Sequence, residues 1–188
     1  MNNRVARVAV AAALGAFAVA VAGYIEAKGA VGMELTSKSF TDRGAIPRVH
    51  TCQGADTAPA LAWSRAPKGT KSFALIVDDP DAPDPAAPKM TWVHWVLYDI
   101  PASATSLPEG VTKTGLPAGT REGENDWKQP GWRGPCPPIG RHRYFFKIYA
   151  LDTVLPDLGT PTRAALEKAM RGHVLDHAEL IGTYQKSS

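Results

Sequence analysis

Three carboxylates, Asp78, Asp79 and Asp81, follow directly on an apolar run, and one histidine, His94, sits inside a second apolar run. Acids at a strand end are ordinary where they face water. A histidine amid tryptophan, valine and leucine is less ordinary. Set side by side, the two would make a polar pocket at the edge of a β-core. Carboxylates with histidines can hold a small ligand, work as general acid and base, or bind a metal that activates water. His94 alone also fits a satisfied core histidine. Asp81 also fits a turn-capping residue, and Asp78 a surface or structural one.

The elements that must position these groups can be read from periodicity. Lys71–Val77 reads as a buried strand. Pro80, Pro83, Pro85 and Pro88 then forbid regular structure through Lys89, and their crowding favours a cis X-Pro bond. Met90–Ile100 is the next strand. Alternation puts Trp92, His94, Val96 and Tyr98 on one face and Val93, Trp95, Leu97 and Asp99 on the other. Both faces are largely apolar, so this strand is central. Before the pair, Met33–Phe40 alternates as a half-buried strand, Ile46–Thr51 fits a short strand, and Ala60–Ser64 brings Trp63 to the core. After it, Pro101–Gly134 is long and irregular, and a stretch of that length inside a compact domain is usually functional. His142–Leu151 is an aromatic strand. Thr162–Arg171 has helical spacing, with Thr162 as cap and Gly172 as stop. His173–His177 reads as a turn, and Ala178–Gln185 as a last edge strand. Trp63, Trp92, Trp95, Phe145 and Phe146 are most simply core, Arg143 is structural, and His50, His173 and His177 are surface residues.

At 188 residues the chain holds one domain and a short appendage. Its 17 glycines and 16 prolines are spread between apolar runs, as in a mainly β domain with many turns. Removing Arg4 and Arg7 from the 21 basic residues leaves 19 against 18 acidic, which gives no basic face for nucleic acid. Residues 1–22 begin basic and continue as an apolar run to Ala20-Val21-Ala22. This is the pattern of a secretory signal peptide, with an uncleaved N-terminal anchor as the rival reading. Residues 23–32 would be a linker and 33–186 the domain. The expected location is periplasmic or secreted. In an oxidising compartment Cys52 and Cys136 would either pair or remain two buried thiols, and sequence does not separate the two. A pair would close a long loop and add about 3–4 kcal/mol. With no Cys-x-x-Cys, zinc is disfavoured.

Three ordered motifs carry a resemblance. Asp79-Pro80-Asp81-Ala82-Pro83, then Trp92-Val93-His94, then Gly134-Pro135-Cys136-Pro137-Pro138 ahead of His142-Arg143-Tyr144, resemble the phosphatidylethanolamine-binding protein family. Asn125-Asp126 and Gly131-Trp132-Arg133-Gly134 look like its bacterial Raf kinase inhibitor-like branch. The resemblance spans roughly Glu34–Gln185. It implies a sandwich of two antiparallel sheets with a few peripheral helices, and a small anion pocket. By position, Asp79 and His94 would line one side, the Gly134-Pro135 loop would form a lip, and His142 and Tyr144 would sit opposite. It implies no catalytic residue, cofactor or metal. Relatives from eukaryotes add a C-terminal helix at the pocket mouth, so ending at Ser188 implies a more open pocket.

The expected role is thus a non-enzymatic module for a phosphate-type or phosphoethanolamine-like ligand, regulating or inhibiting a partner protein that sequence does not name. Membrane contact would come only through the N-terminus or a lipid head group. Two alternatives stand. One is a metal-assisted hydrolase built on the Asp/His cluster, against which no nucleophile elbow or His-Glu-x-x-His helix is present. The other is a protein-interaction inhibitor independent of the pocket. In the pocket reading His94, His142 and Tyr144 donate to the anion. Asp79 orients and charges a histidine, or donates as a protonated acid, or meets a ligand ammonium.

Overall fold

The computed structural model describes residues 32–187, the Lys113 side chain apart. The signal-peptide and anchor readings lie outside the described residues. Eight strands and one α-helix follow in order: β1 (Glu34–Ser37), β2 (Leu61–Ser64), β3 (Ser72–Ala82), β4 (Met90–Pro101), β5 (Ser106–Leu107), β6 (Arg121–Glu122), β7 (Arg141–Leu151), α1 (Arg163–Met170) and β8 (Val174–Gln185). They form two antiparallel sheets, β1-β2-β5 and β6-β4-β3-β7-β8.

The order follows from which strands are apolar on both faces. β3 sends Phe73, Leu75 and Val77 into the core between the sheets, and Ala74 and Ile76 into a second layer. That layer is closed by α1 through Leu166 and Met170. A strand covered twice reads as a continuous apolar run, which is why Phe73–Val77 shows no alternation. Each large side chain so buried contributes about 1.5–3 kcal/mol. α1 begins where Thr162 accepts the Ala165 N–H at 3.3 Å and is followed by Gly172 at φ +83°.

Five expectations need correction. Ile46–Thr51 is not a strand: Ala45 makes one isolated bridge with Thr183, and Arg48–His50 is a single 3-10 turn. That turn buries His50, whose Nδ1 lies 3.0 Å from the Thr57 carbonyl, so His50 is not a surface residue. The long Pro101–Gly134 stretch holds β5, β6 and a 3-10 turn at Lys113–Gly115. β8 starts at Val174 rather than after His177, because β7 is long enough to pair with it from Leu151 back to Arg141.

The fifth correction builds the site. β3 does not stop at the first proline. Pairing with β7 ends at Asp78↔Phe145, and pairing with β4 shifts between Asp79 and Ala82, so Pro80 occupies an irregularity that needs no N–H. The acids replace the missing ladder. Asp79 Oδ1 accepts the Asp81 N–H across the proline at 2.8 Å, and Asp81 Oδ2 accepts the Arg143 N–H of β7 at 2.9 Å. The Ala82–Pro83 bond is cis.

Candidate ligand pocket

Alternation along β3 separates neighbouring acids. Asp78 points toward α1 and is held by Lys147 at 2.9 Å and Arg163 at 2.9 Å. It is buried, not a surface acid. Asp79 points the other way, between the sheets' edges. Asp81 is clamped by Arg143 at 2.6 Å, and this guanidinium holds its carboxyl below the usual range. Only Asp79 is left for a ligand.

β4 departs from alternation where it matters. Val77 pairs with Trp95 but Asp78 with Val93, so one step on β3 matches two on β4. His94 is the extra residue of a β-bulge, a device that re-aims a side chain. Val93 stays with Val96 and Tyr98 in the α1 layer. His94 turns with Trp95 to the other side, where its ring meets Tyr144 at 5.2 Å and Trp127 at 5.1 Å between centroids. The expected face of Trp92, His94, Val96 and Tyr98 is therefore split.

The loop Asn125–Arg133 fastens this bulge. Val93 donates to Asp126 Oδ2 at 2.7 Å, and Asp126 N–H returns a bond to the Val93 carbonyl at 3.0 Å. Arg133 N–H donates to the His94 carbonyl at 3.2 Å, and His94 Nδ1 donates to the Arg133 carbonyl at 2.5 Å. With its proton on Nδ1, neutral His94 presents a bare lone pair at Nε2, which is buried without a partner. Burial pushes the imidazole down to about 4. His94 is therefore an acceptor near neutral pH, not the donor expected from sequence.

Behind Asp79 stands His142, fully buried. Its Nε2 donates to the Ile139 carbonyl at 3.0 Å, and its Nδ1 lies 2.6 Å from Asp79 Oδ2. One proton thus serves the Asp79–His142 contact. Burial raises the Asp79 carboxyl and outweighs the lowering by its hydrogen bond to His142. The Tyr144 hydroxyl has no partner, and burial, aided by the nearby Asp79, raises its pKa far above the usual phenol range.

Asp79, His94 and Tyr144 come together on one pocket of about 400 Å³. Apolar side chains supply most of the remaining wall: Pro83, Met90, Trp92, Trp127, Pro137 and Pro138. No Lys or Arg is among the lining residues. The Gly134–Pro138 loop does contribute a wall, but through Cys136, Pro137 and Pro138. Gly134 and Pro135 lie behind it, where Gly134 N–H donates to Asp56 Oδ1 at 2.7 Å and the Pro135 carbonyl accepts from Cys52 N–H at 3.2 Å. Gly134 has no room for a side chain, since a Cβ would meet the His50 carbonyl at 2.2 Å. His142 supports the floor without lining it. Cys52 and Cys136 form a disulfide with Cα atoms 5.4 Å apart. Trp127 and Met90 were not foreseen as pocket residues. A large aromatic in a Gly/Pro-rich loop, with no strand to place it in a core, was the available signal. Among the described residues no three His, Cys, Asp or Glu side chains are gathered as a metal would require.

The neutral state of His94 has a measurable cost. Between pH about 6.5 and 4 the unfolded chain takes a proton that the folded chain refuses, so stability falls as pH falls through that window. The loss approaches about 1.4 kcal/mol per pH unit. Urea unfolding at pH 7 and pH 5 should show a steeper loss for the native chain than for His94→Gln. Equal slopes would mean that His94 is not held neutral. The difference between the two proteins isolates His94 from Asp79 and Asp99, whose raised carboxyls act in the opposite sense.

The phosphatidylethanolamine-binding protein family model matches residues 36–185. A UPF0098 protein of Methanothermobacter thermautotrophicus is 48% identical over 155 residues, covering 82% of this chain and 99% of the relative. One from Aquifex aeolicus is 44% identical over 159 residues, covering 82% and 89%. Among solved structures, the fold is similar to that of CT736 from Chlamydia trachomatis, a homologue of phosphatidylethanolamine-binding protein, with TM-score 0.77 and 39% identity over 84% of this chain and 100% of that one. It is also similar to E. coli YbcL, described as a member of the mammalian family, with TM-score 0.75 and 33% identity over 82% and 99%.

Proposed function

The chain belongs to the phosphatidylethanolamine-binding protein family, and on that premise we propose that its pocket holds, without transforming, a small phosphate-type or phosphoethanolamine-like head group. The observation that carries this reading is the floor of the pocket. Three polar groups, Asp79, His94 Nε2 and Tyr144 Oη, are grouped on a pocket whose other lining is chiefly apolar, and two of them have no partner. Buried polar groups left unpaired cost about 1–3 kcal/mol each, and a ligand that pairs them recovers that cost.

The electrostatics add a condition. With no lining cation and a neutral imidazole, a bare dianion is poorly served. The anion enters with a proton: either its own P–OH donates to His94 Nε2, or His94 becomes an imidazolium beside it. Tyr144 donates its hydroxyl. Asp79 keeps its shared proton against His142 and offers carboxyl oxygen to a ligand ammonium. The apolar wall suits a ligand whose anionic end continues into carbon. A holding role is further supported by the pocket's thiol and phenol, since Cys136 is locked in the disulfide and the Tyr144 phenol is far from ionising. That exposed disulfide also supports export to an oxidising compartment. Regulation of a partner protein through the pocket mouth remains part of the proposal.

The test is a titration of the chain with O-phosphorylethanolamine, followed by NMR. Saturable shifts at Asp79, His94 and Tyr144 are expected, tighter at pH 5 than at pH 7.5, and absent in His94→Gln. Tyr144→Phe should bind about tenfold or more weakly while remaining as stable as the native chain, because it removes an unpartnered hydroxyl. No saturation at millimolar ligand, or shifts that persist in both variants, would sink the reading. Turnover of the ligand would replace binding by catalysis.

A further inference from the structure

A second large cavity lies on the other side of the Asn125–Arg133 loop. Its volume is about 510 Å³, larger than that of the pocket just described. Ala58, Val111, Leu116 and the rings of Trp95 and Trp132 give it an apolar body. Its polar lining includes Asp56 and Glu122, and no Lys or Arg.

The indoles are what make it more than a void. Trp95 is 1% exposed. Its Nε1–H has no acceptor, and neither has that of Trp132. A tryptophan N–H buried in a protein usually finds a partner, and each orphan has a desolvation cost with nothing to offset it. Here two orphan donors belong to rings that pack on each other, 5.8 Å between centroids, and both rings line one cavity.

We propose that this cavity is a second ligand site, for an uncharged molecule that carries a carbonyl acceptor on an apolar body. Two unpaired N–H groups call for an acceptor. Asp56 is already engaged by Arg133 at 3.7 Å and by the Gly134 N–H, and Glu122 is engaged too, so neither acid offers a free charge to a charged ligand, and the donors disfavour a cation. The apolar walls require a body that leaves water. The first pocket mixes a lone pair, a carboxyl and the Tyr144 hydroxyl at its floor, so the two sites select different chemistry. One loop serves both. Buried Asn125 donates to the Gly131 carbonyl at 3.0 Å and accepts from Trp127 N–H at 3.0 Å, which fixes Trp127 at one pocket and Trp132 at the other. The second site stands on its own observations and does not depend on the anion-pocket reading.

The test uses the whole chain labelled with 15N-tryptophan, so that the five indole N–H signals report separately. Cyclohexanone is the probe and inorganic phosphate the contrast. Saturable downfield shifts of Trp95 and Trp132 with cyclohexanone, leaving Trp92 and Trp127 in place, are the expected result. They should survive in His94→Gln, whatever phosphate does there. Filling the cavity by Ala58→Leu should abolish them, and Val111→Phe serves if the first variant does not fold. The proposal is overturned if Trp95 and Trp132 do not move, if all five indoles drift together without saturating, if the shifts persist in a filled variant, or if both N–H groups show bound water at saturating probe.

Discussion

Replacing Cys52 and Cys136 by serine will lower the stability of the folded chain by about 4 kcal/mol. The disulfide closes a loop spanning 84 positions of sequence, and the chain-entropy cost that it removes from the unfolded state grows with the logarithm of that length. For a domain of this size the loss corresponds to a fall of roughly 10–15 °C in Tm. Function will move with it, because Cys136 is part of the pocket wall. That wall is tied to the segment around Cys52 by the disulfide, by Cys52 N–H on Pro135, and by Gly134 N–H on Asp56. Removing the covalent tie leaves two hydrogen bonds to hold the shape. Urea unfolding of the double variant beside the oxidised native chain makes the measurement. A dithiol reductant should bring the native chain to the level of the variant and leave the variant unchanged. A loss below about 1 kcal/mol would show that the loop is held without the bond.

The second large effect separates two adjacent residues. Asp78→Ala should cost about 3–4 kcal/mol and leave ligand affinity nearly intact. It strands Lys147, 20% exposed, and leaves Arg163 with Glu167 alone at 2.7 Å, their shared carboxylate gone. Asp79→Asn should do the reverse. The amide keeps the geometry: its oxygen can accept the Asp81 N–H, and its NH2 can donate to His142 Nδ1, whose other nitrogen already donates to Ile139. Since burial already disfavours the Asp79 charge, losing it costs little stability, whereas the pocket loses its acid. The pair of variants, read by urea unfolding and by ligand titration, should give crossed results. If Asp79→Asn were as destabilising as Asp78→Ala, Asp79 would be a structural charge and the pocket assignment would fail.

The four long strands of the main sheet and the helix with its Thr162 cap were legible because each is written in periodicity or in local capping chemistry, whereas the two-sheet sandwich came from the family resemblance. What escaped was set by partners distant in sequence. Pro80 looked like a terminator, yet side-chain oxygens from Asp79 and Asp81 take over the ladder there. Alternation could not reveal the His94 bulge, because a bulge is a property of register between two strands. His142 was expected in the pocket and stands behind it, and Gly134 was expected at the lip and is packed under it. In both cases residue type was informative and depth was not. The tautomer of His94 turned on one carbonyl, that of Arg133, thirty-nine positions away.

The opposed directions of Asp78 and Asp79 bear on how this protein can change over generations. Losing or gaining one residue between Ser72 and Val77 would turn both acids to the opposite faces, taking Asp79 out of the pocket and Asp78 away from Lys147 and Arg163. Both sites would fail together. Insertions and deletions are thus barred from β3, and new ligand preferences must arise where length is free, in the loops that carry Trp127 and Pro138.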